Sequence, residues 1–81
     1  MYCVYILKSL KNNRYYVGCT KDLEERLKRH NNGETKGNKY FRPFEVVYKE
    51  DFESLTLARK REAYIKAQKS RKFIEKLINP I

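Results

Sequence analysis

Few residues of this sequence could form a crosslink or a structural metal site. The chain has two cysteines and one histidine, and no Cys-x-x-Cys pair occurs in it. This composition argues against a structural zinc site, which needs four such ligands. Cys3 and Cys19 fall in the two predicted strands of an N-terminal hairpin and on opposite faces of it, which argues against a disulfide. Both cysteines are therefore expected to be packing residues.

Long apolar segments are also missing. No unbroken apolar run reaches the roughly 18 residues that a membrane-spanning helix needs. The N-terminus lacks the basic and then apolar pattern of a secretion signal. With 81 residues, the chain has room for one domain with one small core. We therefore predict a single domain over residues 1–81, a cytoplasmic location and no association with a membrane.

Acidic residues are scarce relative to basic ones. The chain has 10 Asp and Glu against 19 Lys and Arg, which gives a net charge of +9. A surface of this kind attracts polyanions over long distances, so nucleic acid is the leading class of partner. A basic surface that only keeps the protein soluble is the alternative that charge alone leaves open.

The pattern of apolar residues and turn signals predicts a mixed α/β fold. The first strand is apolar on both faces, as expected of a central strand, and residues 10–13 form the turn of an antiparallel hairpin. Thr20 is predicted to cap the first helix and Ser70 the last. The elements follow the order β-β-α-β-α-α, at residues 1–9, 14–20, 21–31, 44–52, 54–69 and 71–78, with a polar loop at 33–43. No linker or repeat interrupts them, so we expect one unit with a short sheet covered by helices.

The hairpin brings three residues to one face of the sheet. In an antiparallel pair, the numbers of opposed residues have a constant sum, and side chains alternate between the two faces. A loop of either two or four residues makes this sum odd, and in both registers Tyr5, Tyr16 and Gly18 project from the same face. The glycine leaves room beside the two phenols. The alternative is that these are two of 7 tyrosines packing an aromatic core.

The first helix carries two polar residues on the stripe that should be buried. Arg26 and His30 share one arc with Leu23 and Leu27, so they face inward or line a cleft. A guanidinium buried without a partner would be strongly unfavourable. A snorkelling arginine and a hydrogen-bonded core histidine are the structural alternatives to a functional role.

On the second long helix, a single carboxylate interrupts the apolar stripe. Glu62 lies in the middle of the arc formed by Leu55, Ala58 and Ile65. A structural ion pair between Glu62 and Arg26 fits the sequence as well as a catalytic use does. The basic residues around Glu62 suit a phosphate backbone, or form a solvated face: Arg59, Lys60, Arg61, Lys66, Lys69, Arg71 and Lys72.

Two phenols, a guanidinium, an imidazole and one carboxylate in a basic domain match the requirements of phosphodiester hydrolysis. A carboxylate can hold one hard divalent cation such as Mg²⁺, which keeps most of its waters and binds substrate phosphate. Arginine complements the charge that grows on the phosphate oxygens in the transition state. Tyrosine or histidine can move the proton of the attacking water. Only the combination of these groups indicates the reaction, because each is common by itself.

The same residues resemble the GIY-YIG nuclease superfamily, in particular its small single-domain members of the UPF0213-like type. The segment CVY at residues 3–5 is similar to the first motif of that family with its glycine replaced, and YVG at residues 16–18 is similar to the second. Arg26 and His30 match the arginine and histidine of the first helix of the family. Glu62 matches the metal-binding glutamate of its later helix. The resemblance covers nearly the whole chain.

This resemblance implies a fold, an activity and a cofactor. The fold is an α/β (α+β) sandwich with a three-stranded antiparallel sheet, and the activity is metal-assisted cleavage of nucleic-acid strands, with DNA favoured. Glu62 would hold one divalent cation, Mg²⁺ or Mn²⁺. Tyr5 would be the general base and Arg26 the phosphate clamp, whereas Tyr16 and His30 would orient or protonate the reacting groups.

Other residues are predicted to position the substrate. The predicted nucleic-acid-binding residues are Lys39, Arg59, Arg61, Lys66 and Lys69, and Gly18 is predicted to be a structural part of the motif. The pair Lys39-Tyr40 in the polar loop is a further candidate for the site. Because 81 residues leave no room for a separate targeting domain, contacts to phosphates would position the substrate and specify little sequence.

Three hypotheses of different classes follow from the sequence. The first is a metal-dependent endonuclease that uses Tyr5, Tyr16, Arg26, His30 and Glu62. The second is a nucleic-acid-binding module without useful catalysis, which the strong basic charge also favours. The third is an accessory protein in which Arg26 and Glu62 form a satisfied ion pair that serves only stability.

Overall fold

The strands and helices follow the predicted order in the part of the chain that the structure, a computed structural model, describes: residues 1–34 and 39–80. The strands are β1 (Tyr2–Ser9), β2 (Tyr15–Thr20) and β3 (Phe44–Phe52), and the helices are α1 (Leu23–Asn31), α2 (Leu55–Gln68) and α3 (Arg71–Ile78). A short 3₁₀ turn at Lys39–Phe41 lies within the predicted loop.

The sheet has three antiparallel strands in the order β2-β1-β3. The central position of β1 explains its composition, because residues 3–7 are all buried and both faces of the strand are covered. β2 consequently forms one edge of the sheet. The predicted α/β (α+β) fold, a three-stranded antiparallel sheet flanked by helices, is confirmed.

Each face of the sheet has its own apolar cluster. On one face, Cys3, Tyr5 and Leu7 form a cluster with Phe44, against which Leu23 and Leu27 of α1 pack. On the other face, Val4 packs with Ala58 and Ile65 of α2, and with Ile74 and Leu77 of α3. Cys3 belongs to the first cluster and Cys19 packs against the second, so the two thiols lie on opposite faces, as predicted.

The hairpin between β1 and β2 has the four-residue loop that the sequence allowed. The amide of Ser9 donates to the carbonyl of Arg14 at 2.9 Å, and this bond closes the loop at residues 10–13. The hydroxyl of Ser9 accepts the amides of Lys11 and Asn12, each at 3.1 Å. Asn13 adopts a left-handed conformation with φ of 61°, which asparagine tolerates better than most residues. In the resulting register, Tyr5 lies opposite Gly18.

The start of α1 differs from the prediction. Thr20 was expected to cap this helix, but it still belongs to β2, where it lies opposite Cys3. The cap is Asp22, whose carboxylate accepts the amide of Glu25 at 3.2 Å, and the helix begins at Leu23. Thr20 was the wrong choice because two residues of chain are needed to turn from the sheet ladder into the helix, which capping preferences do not reveal.

The two C-terminal helices are capped by serines. Ser54 accepts the amide of Leu57 at 3.2 Å, and Ser70 accepts that of Phe73 at 3.1 Å, so the predicted cap at Ser70 is confirmed. Between the helices, Lys69 takes a left-handed conformation with φ of 46°, which ends α2 and turns the chain. None of the helices described by the structure is long and apolar enough to cross a membrane.

Candidate active site on the edge strand

A cleft of about 750 Å³ runs along the edge strand β2 and is open to solvent. Residues from both strands of the hairpin and from all three helices line it. The structure brings all six residues of the predicted catalytic, metal and structural set to this cleft: Tyr5, Tyr16, Gly18, Arg26, His30 and Glu62. The predicted common face of Tyr5, Tyr16 and Gly18 is confirmed by the strand register, since Tyr5 opposes Gly18 and Leu7 opposes Tyr16.

The hydroxyl of Tyr5 connects the two polar residues of α1. Arg26 Nε donates to the Tyr5 oxygen at 3.2 Å, and His30 Nε2 lies 3.3 Å from the same oxygen. Arg26 and His30 are one helical turn apart, so one phenol can reach both of them. The phenol oxygen accepts from Arg26 and also shares a hydrogen bond with His30, in which the tautomer of the imidazole decides whether the phenol or Nε2 is the donor.

Burial controls the protonation of Tyr5. The residue is 2% exposed, and desolvation raises the pKa of its phenol above the ordinary value. Arg26 opposes this shift through its hydrogen bond and its charge, whereas the carboxylate of Glu62 adds to it. Tyr5 is therefore a neutral phenol at neutral pH, able to accept one proton only while it passes on another.

Gly18 makes room for the hydroxyl of Tyr5. A Cβ atom at position 18 would overlap the hydroxyl and the ring carbon that carries it, and would lie 2.9 Å from ring atom Cε2. The Tyr5 ring cannot withdraw, because it is packed in the cluster beneath α1. Tyr16, on the same face, is held by an edge-on contact with Phe44, with ring centroids 5.4 Å apart. The glycine of the second motif is therefore needed for space, not for an unusual backbone conformation.

We expect Gly18→Ala to lower the free energy of unfolding by about 1–3 kcal/mol, because the added methyl overpacks a site next to the core. The melting temperature, followed by circular dichroism, measures this loss. Gly33→Ala is the comparison variant outside the residues that line the cleft, where the left-handed φ of 77° is a source of backbone strain and not of overlap with Tyr5. Equal melting temperatures for Gly18→Ala and the native protein would contradict the spatial role of Gly18.

Glu62 reaches the cleft from the middle of α2. Its side chain is 20% exposed, and Ala58 and Ile65 on the same helix face are buried, as predicted. Leu55 of the predicted arc lies in the first turn of the helix and is 39% exposed. Glu62 lines the cleft together with Cys19 of β2, and the pKa of the Cys19 thiol is raised by burial first and by the Glu62 carboxylate second.

Within the described part of the chain, the ion pair of Glu62 is made with Lys66 and not with Arg26. Lys66 Nζ lies 2.9 Å from Glu62 Oε2, one turn further along α2. Arg26 instead uses its Nε to bond Tyr5. The structural ion pair between Arg26 and Glu62 that the sequence left open is therefore not the arrangement in the structure.

The residues present fit a divalent cation held by one carboxylate. Among the residues described, no group of three or more His, Cys, Asp or Glu could form a complete protein cage for a metal. Mg²⁺ does not need such a cage, because it binds through one or two carboxylates and keeps several waters. The carboxylate of Glu62 already holds a cationic group, the ammonium of Lys66, on the side that faces the cleft.

The cleft is strongly cationic. Among the described residues that line it, Glu62 is the one carboxylate. Six lining residues are basic: Arg14, Arg26, Arg59, Lys66, Lys69 and Arg71. Three of these, Arg59, Lys66 and Lys69, were predicted to bind nucleic acid. Arg61 is not brought to the cleft, because its Nε bonds Glu50 at 3.2 Å and its guanidinium lies over the ring of Tyr64.

The predicted loop residue Tyr40 is not among the described residues that line the cleft, whereas two residues that were not predicted are. The side chain of Lys39 lies outside the described part of the structure, and Tyr40 is 70% exposed on the 3₁₀ turn. Arg14 and Tyr15 line the cleft, but sequence reasoning did not select them. Their position at the open end of the hairpin loop, directly before the second motif, is the signal that could have found them.

Comparisons with known proteins agree with this arrangement. Residues 1–76 match the family model described as the GIY-YIG catalytic domain. The UPF0213 protein CPE1444 of Clostridium perfringens is 50% identical over 66 residues, which are 78% of this chain and 68% of that protein. The UPF0213 protein SSP2268 of Staphylococcus saprophyticus is 44% identical over 64 residues, which are 78% of this chain and 77% of that protein.

A solved structure is similar in fold over almost the whole chain. It is the solution NMR structure of the UPF0213 protein BH0048 from Bacillus halodurans, which is 36% identical in sequence. The match covers 96% of this chain and 83% of that one, with a TM-score of 0.59. This UPF0213 structure therefore has the same overall fold as the chain described here.

Proposed function

Because the chain belongs to the GIY-YIG catalytic domain family, we propose that it is a metal-dependent endonuclease that hydrolyses phosphodiester bonds of nucleic acid, with DNA favoured and with little sequence specificity. The observation that carries this proposal is the position of the Tyr5 hydroxyl, in contact with both Arg26 and His30 inside the cleft that Glu62 lines. Packing alone gives no reason for these groups to meet at one cleft, whereas a phosphodiester site requires it.

In this proposal, Tyr5 and His30 act together to activate water. The attacking water gives a proton to the Tyr5 oxygen, and the phenol gives its own proton to His30 Nε2, 3.3 Å away. The phenol gains one proton and loses one, so it stays neutral, and the imidazole becomes positively charged. As the bond from the water oxygen to phosphorus forms, the bond from phosphorus to the leaving oxygen breaks, and that oxygen takes up a proton from the solvent in the open cleft.

Arg26 and Tyr16 are proposed to hold the reacting phosphate. The Nε of Arg26 is used by Tyr5, which leaves the terminal nitrogens of the guanidinium for the phosphate oxygens. Their charge is most useful in the transition state, when negative charge grows on those oxygens. Tyr16, fixed by its contact with Phe44, would orient the leaving group from the same face of the sheet.

Glu62 is the proposed ligand of Mg²⁺ or Mn²⁺. A bound divalent cation supplies Lewis-acid stabilisation of the phosphate and lowers the pKa of a bound water. Lys66 contacts only one of the two carboxylate oxygens of Glu62, Oε2, and this ion pair is weak because the Lys66 side chain is 55% exposed. The carboxylate would therefore be able to act as the metal ligand, and the ammonium of Lys66 would be available to the substrate.

Low sequence specificity follows from the type of contacts that the cleft offers. Its six basic side chains suit phosphate oxygens, which are the same in every sequence. The family match supports nucleic acid as the class of substrate, and DNA is the form that we propose. The predicted cytoplasmic location stays a prediction.

The test of the proposed function is a cleavage assay of the purified protein on plasmid, branched and single-stranded substrates. Cleavage is expected in Mg²⁺ or Mn²⁺ and is expected to stop in EDTA. If none of the substrates is cut with either metal although the protein binds them, the proposal is wrong. The second hypothesis, a nucleic-acid-binding module without catalysis, would then hold, since the cationic lining of the cleft supports binding by itself.

A further inference from the structure

The cleft continues well beyond the residues of the proposed reaction. Its far end is formed by Arg14, Tyr15, Lys69 and Arg71. Along β2, Arg14 is four residues from Gly18, which corresponds to about 13 Å at the rise of a strand. Along α2, Lys69 is seven residues from Glu62, which corresponds to about 10 Å at the rise of a helix. Two independent elements therefore place the far end about 10–13 Å from the proposed reaction centre.

Arg71 is held in place at this far end by three contacts. Its guanidinium carbon lies 4.7 Å from the centre of the Tyr15 ring. Its Nη1 donates to the carbonyl of Asn13 at 2.9 Å, and its Nε donates to Glu75 at 3.2 Å. Only two of the five N–H groups of a guanidinium are used in these bonds. The other three are on the terminal nitrogens, which can bind an anion in the bidentate manner that arginine favours.

The charges at the far end are unbalanced. Three basic residues from separate parts of the chain line this end of the cleft: Arg14 directly before β2, Lys69 directly after α2 and Arg71 at the start of α3. Among the residues described by the structure, Glu75 is the carboxylate that pairs with Arg71, whereas Arg14 and Lys69 have no carboxylate within ion-pair distance. Like charges repel, so this end is better suited to an anionic ligand than to solvent alone.

We propose that the far end of the cleft is a second phosphate site, which binds the same nucleic-acid strand that reacts near Glu62. The inference rests on the proposed function and adds the class of substrate. At about 3.4 Å of rise per nucleotide in a stacked strand, a separation of 10–13 Å corresponds to about three to four nucleotides. The substrate is therefore a strand of at least about four nucleotides, and not a mononucleotide or a small phosphodiester.

NMR of the ¹⁵N-labelled protein locates the ligand directly. The titrant is a single-stranded hexathymidylate in EDTA at low salt, so that no cleavage is needed. We expect the Nε–H signal of Arg71 and the amides of Arg14 and Tyr15 to move with the same dissociation constant as the amide of Gly18. One strand that spans both ends explains a shared constant. Inorganic phosphate, titrated in parallel, is expected to move the same signals only at much higher concentration.

Arg71→Gln tests the contribution of the second phosphate. The slope of log affinity against log salt for hexathymidylate should become shallower by about 0.7, the value for one phosphate contact on a single strand. Lys72→Gln is the matched control, because Lys72 is the next residue of α3, is exposed and does not line the cleft. If Arg71→Gln does not fold, Lys69→Gln replaces it, since Lys69 is exposed and lines the same end.

Three outcomes would contradict this inference and leave the proposed function unaffected. The first is that hexathymidylate moves NMR signals only at the Glu62 end of the cleft and none at the far end. Another is an equal change of the salt slope in Arg71→Gln and Lys72→Gln, which is expected if Arg71 only clamps α3 to the hairpin. The third is a response of the far end to inorganic phosphate that is as strong as its response to the strand. The proposed function is judged separately, by metal-dependent cleavage.

Discussion

Glu62→Gln is expected to lower the rate of metal-dependent cleavage by about a hundred- to ten-thousandfold. An amide of the same shape removes the one carboxylate that the described residues bring to the cleft, and metal catalysis contributes several kcal/mol to phosphoryl-group reactions. The fold should survive, because the pair with the exposed Lys66 contributes about 1 kcal/mol or less. Binding of nucleic acid in EDTA should be equal or stronger, since one negative charge is lost.

Glu24→Gln is the control for this variant. Glu24 is an exposed carboxylate of α1 that does not line the cleft, so the same chemical change there should leave cleavage unaltered. Cleavage rates, melting temperatures and fluorescence anisotropy with labelled DNA are measured for both variants. If Glu62→Gln cuts DNA as fast as the native protein does, the activity is a contaminant or follows another mechanism.

Tyr5→Phe is expected to lower cleavage by about a hundred- to ten-thousandfold, the usual contribution of a positioned acid or base. The phenyl ring keeps the packing in the core, but it cannot take a proton from water or give one to His30. Arg26 also loses the acceptor of its Nε–H, so the free energy of unfolding should fall by about 1 kcal/mol. Single-turnover cleavage and thermal unfolding measure the two effects.

Tyr48→Phe removes a hydroxyl in the same way at a distance from the cleft. Tyr48 donates to Glu50 at 2.6 Å on β3, beside Arg61. This variant should lose some stability and keep full cleavage activity. A loss of activity as large as that of Tyr5→Phe would show that the effect on the rate arises from stability, and would remove Tyr5 from the proposed mechanism.

The raised pKa of Tyr5 adds a dependence of stability on pH. Burial is its main cause, so the folded protein holds the phenol proton more tightly than the unfolded chain does. This contribution to stability is fully present below the ordinary phenol value of about 10 and is lost as pH rises through the folded pKa. The melting temperature of Tyr5→Phe should therefore fall less than that of the native protein above about pH 10. Parallel curves would contradict the burial of an ionisable phenol at this position.

Local periodicity was enough to predict which faces of the elements matter. The common face of Tyr5, Tyr16 and Gly18 depends only on the odd sum of paired residue numbers, which both possible loop lengths share. The inward positions of Arg26 and His30 depend only on the helical repeat. The central position of β1 followed from a strand that is apolar on both faces.

The boundary of α1 shows where local signals end. Thr20 was predicted to be the helix cap, whereas Asp22, a residue type that caps helices at least as well, takes that position in the structure. Pairing of Thr20 with β1 decided between them, because a residue in the sheet ladder cannot at the same time take the position of a helix cap.

The sequence by itself thus determined the order of the elements, the faces of the hairpin and helices, and the family to which the six motif residues belong. Only the tertiary structure decided which charges meet. Arg61 and Lys66 are both basic residues of one helix, yet the rotation of α2 against the sheet directs the first to Glu50 and the second to Glu62. The left-handed turn at Lys69 brings Arg71 to Tyr15, 56 residues earlier in the chain. Such contacts depend on how whole elements pack against each other, whereas periodicity describes each element alone.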